Sequence, residues 1–415
     1  MNNMSKQKNK QQAETQRSLP VQKIVWWKPY LVLTIFSFVL YSNTLTNSYA
    51  LDDGILIIGN AFTQQGIKGI PDIFKYDTFV GWIQNSNKEK TADEIQNEMK
   101  LVAGGRYRPL SVATFALEIQ FFGKKNISPE LAANIFVGHL NNILLYLFTT
   151  CLLYLILCRL FNGSKFKRWY LSFPFIVSLL FLAHPIHTEA VANIKGRDEI
   201  MTLLGALGAL WFTIKYIDTN KNYNLLLSGL CLFLGLLSKE NAITFLAVIP
   251  VSIYYFVDKK MGKIIKSMLP LLIASGVFLI IRASILGTSS VDASKIAADI
   301  LNNPFLNATK SEATATIFYT LLMYVKLLFF PHPLTWDYYP HHIEIVNWTN
   351  PIAILSLLFY LGITVYAIYG LKAPINPPEG GRLSSPFGGV RGGYFGGTKG
   401  ELEGLYSIDY NSQVE

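Results

Sequence analysis

Charge is scarce in this chain: 15% of its 415 residues are Asp, Glu, Lys or Arg, against 51% hydrophobic. Mean hydropathy is +0.31, and the apolar residues run in blocks rather than at amphipathic spacing, which excludes a soluble globule and indicates a polytopic membrane protein. Cysteine is scarcer still. The three present, Cys151, Cys158 and Cys231, lie inside apolar blocks. Cys151 and Cys158 stand about 10 Å apart along one helix, too far to bridge, so neither a disulfide framework nor a zinc spacing is present. HExxH is absent, as is any repeated unit of 20 to 50 residues. A short apolar run at the extreme N-terminus is also missing, so the first apolar block is expected to be a retained anchor rather than a cleaved signal. The net charge of +9 is concentrated in short segments between apolar blocks, where topology explains it and a nucleic-acid partner is not required.

What is there is an all-α polytopic transmembrane bundle of about eight to nine spans, with a long first outer loop containing membrane-surface helices. Residues 1–28 hold six Lys or Arg against one acidic residue, which by the positive-inside rule makes this a cytosolic segment. A transmembrane domain follows over 29–371. Its first span, Pro29 to Leu51, leads into an outer segment from Asp52 to about Glu130, within which Gly104 to Gly123 reads as a helix along the membrane, its apolar run broken by Glu118. Leu131 to Cys158 carries no Lys, Arg, Asp or Glu, and a basic cluster from Arg159 to Arg168 follows. Further spans are expected at Trp169 to Ala183, Ile200 to Ile217, Asn224 to Leu237, Ala242 to Val257, Ile264 to Ile281 and Ile352 to Leu371. Ala313 to Phe330 reads as a full crossing or a re-entrant helix, with Lys372 favouring the non-crossing form. Residues 372–415 change character: nine glycines in the twenty-one residues from Gly380 to Gly400 cannot bury a core, and a disordered tail is expected.

The stretch HPIHTEAVANIKGRDE, His184 to Glu199, places seven ionisable residues in sixteen positions between two apolar blocks. Charge at such a place lines a water-filled or protein-walled cavity and is more often functional than decorative. Alternation of spans brings it to the same face as Asp52 and Asp53 and as the SKEN turn, Ser238 to Asn241. An acidic pair at a membrane exit is either a helix cap or a general base toward a hydroxyl nucleophile, and the second apolar run behind it, ILII, favours the base. His184, His187 and Glu189 admit a metal, although Pro185 equally makes His184 a helix cap. Arg106, Arg108, Lys195, Arg197, Lys239 and Arg282 fall on the outer face, as solvated or ion-paired groups or as a phosphate grip.

DDGILIIGN, RYRPLS, GHLNNILLY, HPIHTEAVANIKGRDE and LLSKENAIT, in that order, resemble the integral-membrane glycosyltransferases of the GT-C type. The resemblance is closest to the transmembrane O-mannosyltransferases that usually carry tetratricopeptide repeats at the C-terminus, and to their bacterial relatives, and it covers roughly Tyr49 to Leu371. It implies transfer of a sugar, mannose foremost, from a polyprenyl-phosphate donor to a protein Ser or Thr hydroxyl, by a single inverting displacement. One of Asp52 and Asp53 is then the catalytic base. The substrate-binding set is Arg106, Arg108, His184, His187, Glu189, Arg197, Asp198, Lys239 and Glu240, with Arg108, Arg197 and Lys239 as phosphate contacts. No cofactor is required, a divalent metal standing as the alternative. The expected partners are the lipid-linked donor, the protein acceptor and the bilayer. The Lys- and Asn-rich composition points to a bacterial inner membrane, with the site on the periplasmic face. Where the family carries its repeats this chain has the glycine-rich tail, which leaves a truncated, inactive member as an alternative. A transporter is another, although the inverted repeats it calls for are not seen.

Overall fold

In lipid every main-chain N–H and C=O has to find its partner within its own segment, so apolar runs of about 20 residues become helices. The computed structural model describes residues 27–98, 106–123, 134–161, 168–258, 260–287, 304–335, 338 and 342–372. The basic N-terminal stretch and the glycine-rich tail lie outside these. Among the described residues there is no strand, and each apolar segment marked out by the sequence is a helix. The long helices are α1 (Trp27–Tyr41), α2 (Pro109–Phe122), α3 (Ile135–Leu160), α4 (Phe173–Ala183), α5 (Arg197–Thr219), α6 (Tyr223–Ser238), α7 (Phe245–Phe256), α8 (Met261–Leu286), α9 (Lys310–Phe329) and α10 (Pro351–Lys372).

By length and apolar character six described helices suit a crossing, and a seventh comes from α4 with Pro185–Ala192, bent by 49° where His184 and Pro185 interrupt the run. α6 and α7 are shorter, at 16 and 12 residues. The protein is a multi-pass membrane protein.

The α5–α6 hairpin is the tightest contact in the bundle. A Cβ on Gly205 would stand 2.7 Å from the Gly235 Cα and the Cys231 carbonyl, so small residues set the closeness of the two backbones. Across the same seam the Thr213 and Ser228 hydroxyls are 2.8 Å apart. This hairpin carries Asp198 and Glu199 at its beginning and Lys239 and Glu240 just past its end, which places four charged residues at one rim.

The first outer segment is built of short helices, 61–64, 70–75, 80–86 and 92–98, around Phe62, Ile73, Tyr76, Val80, Ile95 and Val112. It is joined to the bundle rim by the Gln96 side-chain amide, which donates to the Ile285 carbonyl at 2.9 Å.

α9 is long and apolar enough to cross. Near its start, Thr316 Oγ1 accepts from the Val346 N–H at 3.0 Å. Near its end, the Leu328 carbonyl accepts from His184 Nε2 at 3.0 Å. α10, which begins shortly after Val346, carries Gly370 to within 3.8 Å of the Tyr255 hydroxyl, measured from an added Cβ. Tyr255 is at the end of α7 remote from Lys239 and Glu240, and midway along both helices the Tyr360 hydroxyl donates to the Leu321 carbonyl at 3.3 Å, so α9 packs lengthwise on α10.

Candidate active site at the acidic pair

The turn that presents the acidic pair is strained. Leu51 has φ of 51°, a left-handed conformation that a branched side chain rarely adopts. The Asp53 carboxylate holds it there. Its Oδ2 accepts from the Ala50 N–H at 3.0 Å, and its Oδ1 accepts from the Lys195 N–H at 2.8 Å. Asp53 is 1% exposed. Burial raises its carboxyl above the usual carboxylate value, against the pull of those two N–H groups. Asp53 is therefore a staple between the first outer segment and the 184–199 stretch.

Asp52 faces the other way. Its side chain is 40% exposed, and its Oδ2 lies 3.6 Å from Lys195 Nζ. From there a line of alternating charge runs along the rim. Lys195 Nζ is 3.7 Å from Asp198 Oδ2, and Asp198 Oδ2 accepts from Arg108 Nη1 at 2.9 Å. Arg108 Nη2 then reaches Glu240 Oε1 at 3.3 Å. Lys239 and Glu199 form a neighbouring pair. Asp198 is 2% exposed, and its Oδ1 has no hydrogen-bond partner among the described residues, nor does the buried Nε of Arg108. Six sequence candidates, Asp52, Arg108, Lys195, Asp198, Lys239 and Glu240, thus come together, with Glu199 added.

Arg197 does not join them. It is 1% exposed and committed within the fold: Nε donates to Asn142 Oδ1 at 2.8 Å, Nη1 to Thr114 Oγ1 at 3.0 Å, and Nη2 to the Gly138 carbonyl at 3.0 Å. Glu118 forms its ion pair and Phe115 lies under the guanidinium. The sequence grouped Arg197 with the phosphate contacts; the structure corrects this, because its donors bind α2, α3 and Glu118. That also accounts for the single carboxylate in the apolar run of α2. The histidines are likewise occupied. His184 Nδ1 accepts from the Ile186 N–H at 3.2 Å, capping the turn, while its Nε2 binds Leu328. His187 Nδ1 lies 2.8 Å from the Tyr146 hydroxyl and 2.9 Å from the Phe181 carbonyl. Glu189 accepts from Asn193 Nδ2 at 3.1 Å. Among the described residues no group of three His, Cys, Asp or Glu is placed to hold a metal ion.

Arg106 is exposed beside the array, its guanidinium 4.8 Å from the Phe79 ring centroid. What holds this arginine loop is a residue that sequence reasoning passed over. Asp77, 1% exposed, accepts from the Arg106 N–H at 2.7 Å and from the Phe79 N–H at 2.8 Å. Thr78 adds a main-chain bond to the Arg106 carbonyl at 2.9 Å and a hydroxyl acceptor for the Arg108 N–H at 3.3 Å. Burial raises the Asp77 carboxyl, as it does that of Asp53. An Asp two residues before an N–H it accepts is a readable turn signal, but its partner in Arg106 is 29 residues away and leaves no trace in the sequence.

Residues 131–286 match the family described as dolichyl-phosphate-mannose-protein mannosyltransferase. Human Protein O-mannosyl-transferase TMTC2 is 28% identical over 365 residues, covering 83% of this chain and 39% of the relative. The Caenorhabditis elegans Protein O-mannosyl-transferase F38B6.6 is 27% identical over 312 residues, 74% of this chain and 39% of the relative. Over most of its length the chain is thus similar to the transmembrane O-mannosyltransferases. Human Protein O-mannosyl-transferase TMTC1 is 30% identical over 240 residues, 55% of this chain and 24% of that protein. The chain spans about two fifths of the length of the first two relatives. No solved structure matches it. Of the rim array, Lys195, Asp198, Glu199, Lys239 and Glu240 fall inside the stretch matched to the mannosyltransferase family, and Asp52 and Arg108 precede it.

Proposed function

We propose that the chain is a membrane glycosyltransferase that moves a sugar, mannose foremost, from a polyprenyl-phosphate donor to a hydroxyl of a protein. The observation that carries the reading is the division of labour in the acidic pair: Asp53 is buried against main-chain N–H groups while Asp52 is exposed at the end of an array containing Lys195, Arg108 and Lys239. A base has to be reachable by the acceptor, and Asp52 is. Its carboxylate takes the proton of the acceptor hydroxyl as that oxygen forms a bond to the anomeric carbon. The bond from that carbon to the phosphate oxygen breaks, its electron pair leaves with the polyprenyl phosphate, and the anomeric centre inverts. Cations at the rim stabilise the negative charge that grows on the leaving phosphate. Arg108 and Lys239 are the foremost contacts, since each is half-buried and paired to carboxylates that a phosphate can replace.

His184, His187 and Arg197 hold the wall on which these groups stand, and Asp53 and Asp77 fix the two loops that carry Asp52 and Arg108. A bacterial inner membrane with the site on the periplasmic face accommodates the charge pattern. The test is a transfer assay on membranes containing the chain, supplied with labelled polyprenyl-phosphate mannose. Label should reach protein with the wild type and not with Asp52→Asn. Full activity in Asp52→Asn would remove the base from the reading, and labelled free sugar without labelled protein would remove the acceptor.

A further inference from the structure

The acidic pair grips one lysine twice. Asp53 holds the Lys195 main chain through its N–H at 2.8 Å, and Asp52 faces the same residue's ammonium at 3.6 Å. The main chain is fixed further by Asn193 Oδ1, which accepts from the same N–H at 3.2 Å, and by the tight turn at Gly196, where a Cβ would stand 2.4 Å from the Ala190 carbonyl. The side chain is free by comparison. Its Nζ is 3.6 Å from Asp52 and 3.7 Å from Asp198, beyond the 2.7–2.9 Å of a charge-assisted hydrogen bond on both sides. The other cations of the array are bonded: Arg108 binds the same Asp198 oxygen at 2.9 Å, and Lys239 binds Glu199. Lys195 is a point charge on a flexible stem, fixed at its root and shared between two carboxylates at its tip.

We propose that Lys195 couples donor occupancy to the base, an inference that rests on the glycosyl-transfer reading above. Without donor its ammonium neutralises Asp52 and Asp198 together. A polyprenyl phosphate arriving at the rim offers Lys195 a partner of higher charge, and the ammonium swings to it. Asp52 is then left without its counter-ion and accepts the acceptor's proton only when a donor is in place. Lys195 is in this way a positioning residue for Asp52 as well as a contact for the phosphate. Arg108 keeps Asp198 Oδ2 through Nη1 while its Nη2 exchanges Glu240 for the phosphate, so Asp198 stays paired when Lys195 leaves.

The experiment is a binding cycle on the full chain in nanodiscs, with polyprenyl phosphate carrying no sugar as the probe, so that its readout is independent of turnover. Asp52→Asn removes the competitor for the ammonium and should tighten polyprenyl phosphate binding by about three- to tenfold, in the range of couplings between touching residues. In a Lys195→Met background the same Asp52→Asn change should leave binding unaltered, while Lys195→Arg should restore the tightening. Equal tightening in both backgrounds, or none in the wild-type background, overturns the role of Lys195 while leaving the transfer reading in place. Failure of the wild-type chain to bind polyprenyl phosphate overturns both.

Discussion

Asp53 and Lys195 are joined by a 2.8 Å hydrogen bond from the Lys195 main-chain N–H to Asp53 Oδ1, across 142 residues of sequence. The bond sets the distance between the first outer segment and the stretch that opens α5. Because it uses the main chain of Lys195, it leaves the ammonium to Asp52. The two members of one acidic pair thus have separate duties, and substitutions separate them.

Asp52→Asn keeps the shape and removes the proposed base. Transfer should fall by about a hundredfold or more, the typical contribution of general base catalysis, while the melting temperature holds. Asp53→Ala leaves the Ala50 and Lys195 N–H groups without their acceptor. It should lose about 2–3 kcal/mol of stability, the cost of buried groups left unpaired. Thermal melting beside a transfer assay measures both, and the reverse pattern would exchange the roles.

The sequence made the pair visible but did not distinguish its members, because burial and main-chain partners decide that and neither is written in two adjacent aspartates. The same holds for Arg197 and Arg108, both arginines beside polar residues at a membrane rim. One is enclosed by Asn142, Thr114, Gly138 and Glu118, and the other is turned to Asp198 and Glu240. Helices, their order and the face they share were legible, since apolar runs and the spacing of charge determine them. Asp77 was not legible: its bond to the Arg106 N–H depends on where a long surface segment folds back.

Arg197→Met should destabilise the protein by about 3–5 kcal/mol, the usual cost of leaving one partner of a buried ion pair alone. Glu118→Gln together with Arg197→Met should recover part of that loss, since the remaining carboxylate is then gone. Yield of folded protein in mild detergent and melting curves of Arg197→Met, Glu118→Gln and the double variant measure the coupling. Additive losses would show that Glu118 and Arg197 do not act as a pair.

Asp77 makes stability depend on pH in a direction opposite to that of an ordinary salt-bridged carboxylate. Burial raises its folded-state value above the usual 3.8. The stability linked to the neutral form is therefore fully present below the unfolded value and is lost as pH rises through the folded-state value. Asp77→Asn cannot ionise and still offers one acceptor for the Phe79 and Arg106 N–H groups. Its melting temperature should be lower than that of the wild type at the acid end, with the gap narrowing toward neutral pH. A gap constant with pH would mean that Asp77 does not change its ionisation between the folded and unfolded chain.

A non-crossing α9, which Lys372 favours, is a topology that labelling can read. Helix α9 runs from Thr316, beside Val346, to Leu328, beside His184, and α10 carries Gly370 to the opposite end of the bundle near Tyr255. With Cys151, Cys158 and Cys231 replaced by Ser, single cysteines at Lys310 and Phe330 should react with a membrane-impermeant maleimide from the same side. One at Lys263, in the first turn of α8, should react only from the other. Lys310 and Phe330 on opposite sides would make α9 a crossing helix and move residues 331–342 to the face away from Asp52. α9 is apolar and long enough to span, so contacts such as that of Leu328 with His184 are what would hold it to one side. His184→Ala is therefore the companion variant: if the bond holds the helix, its removal should raise labelling at Phe330 while leaving the side from which Lys310 reacts unchanged.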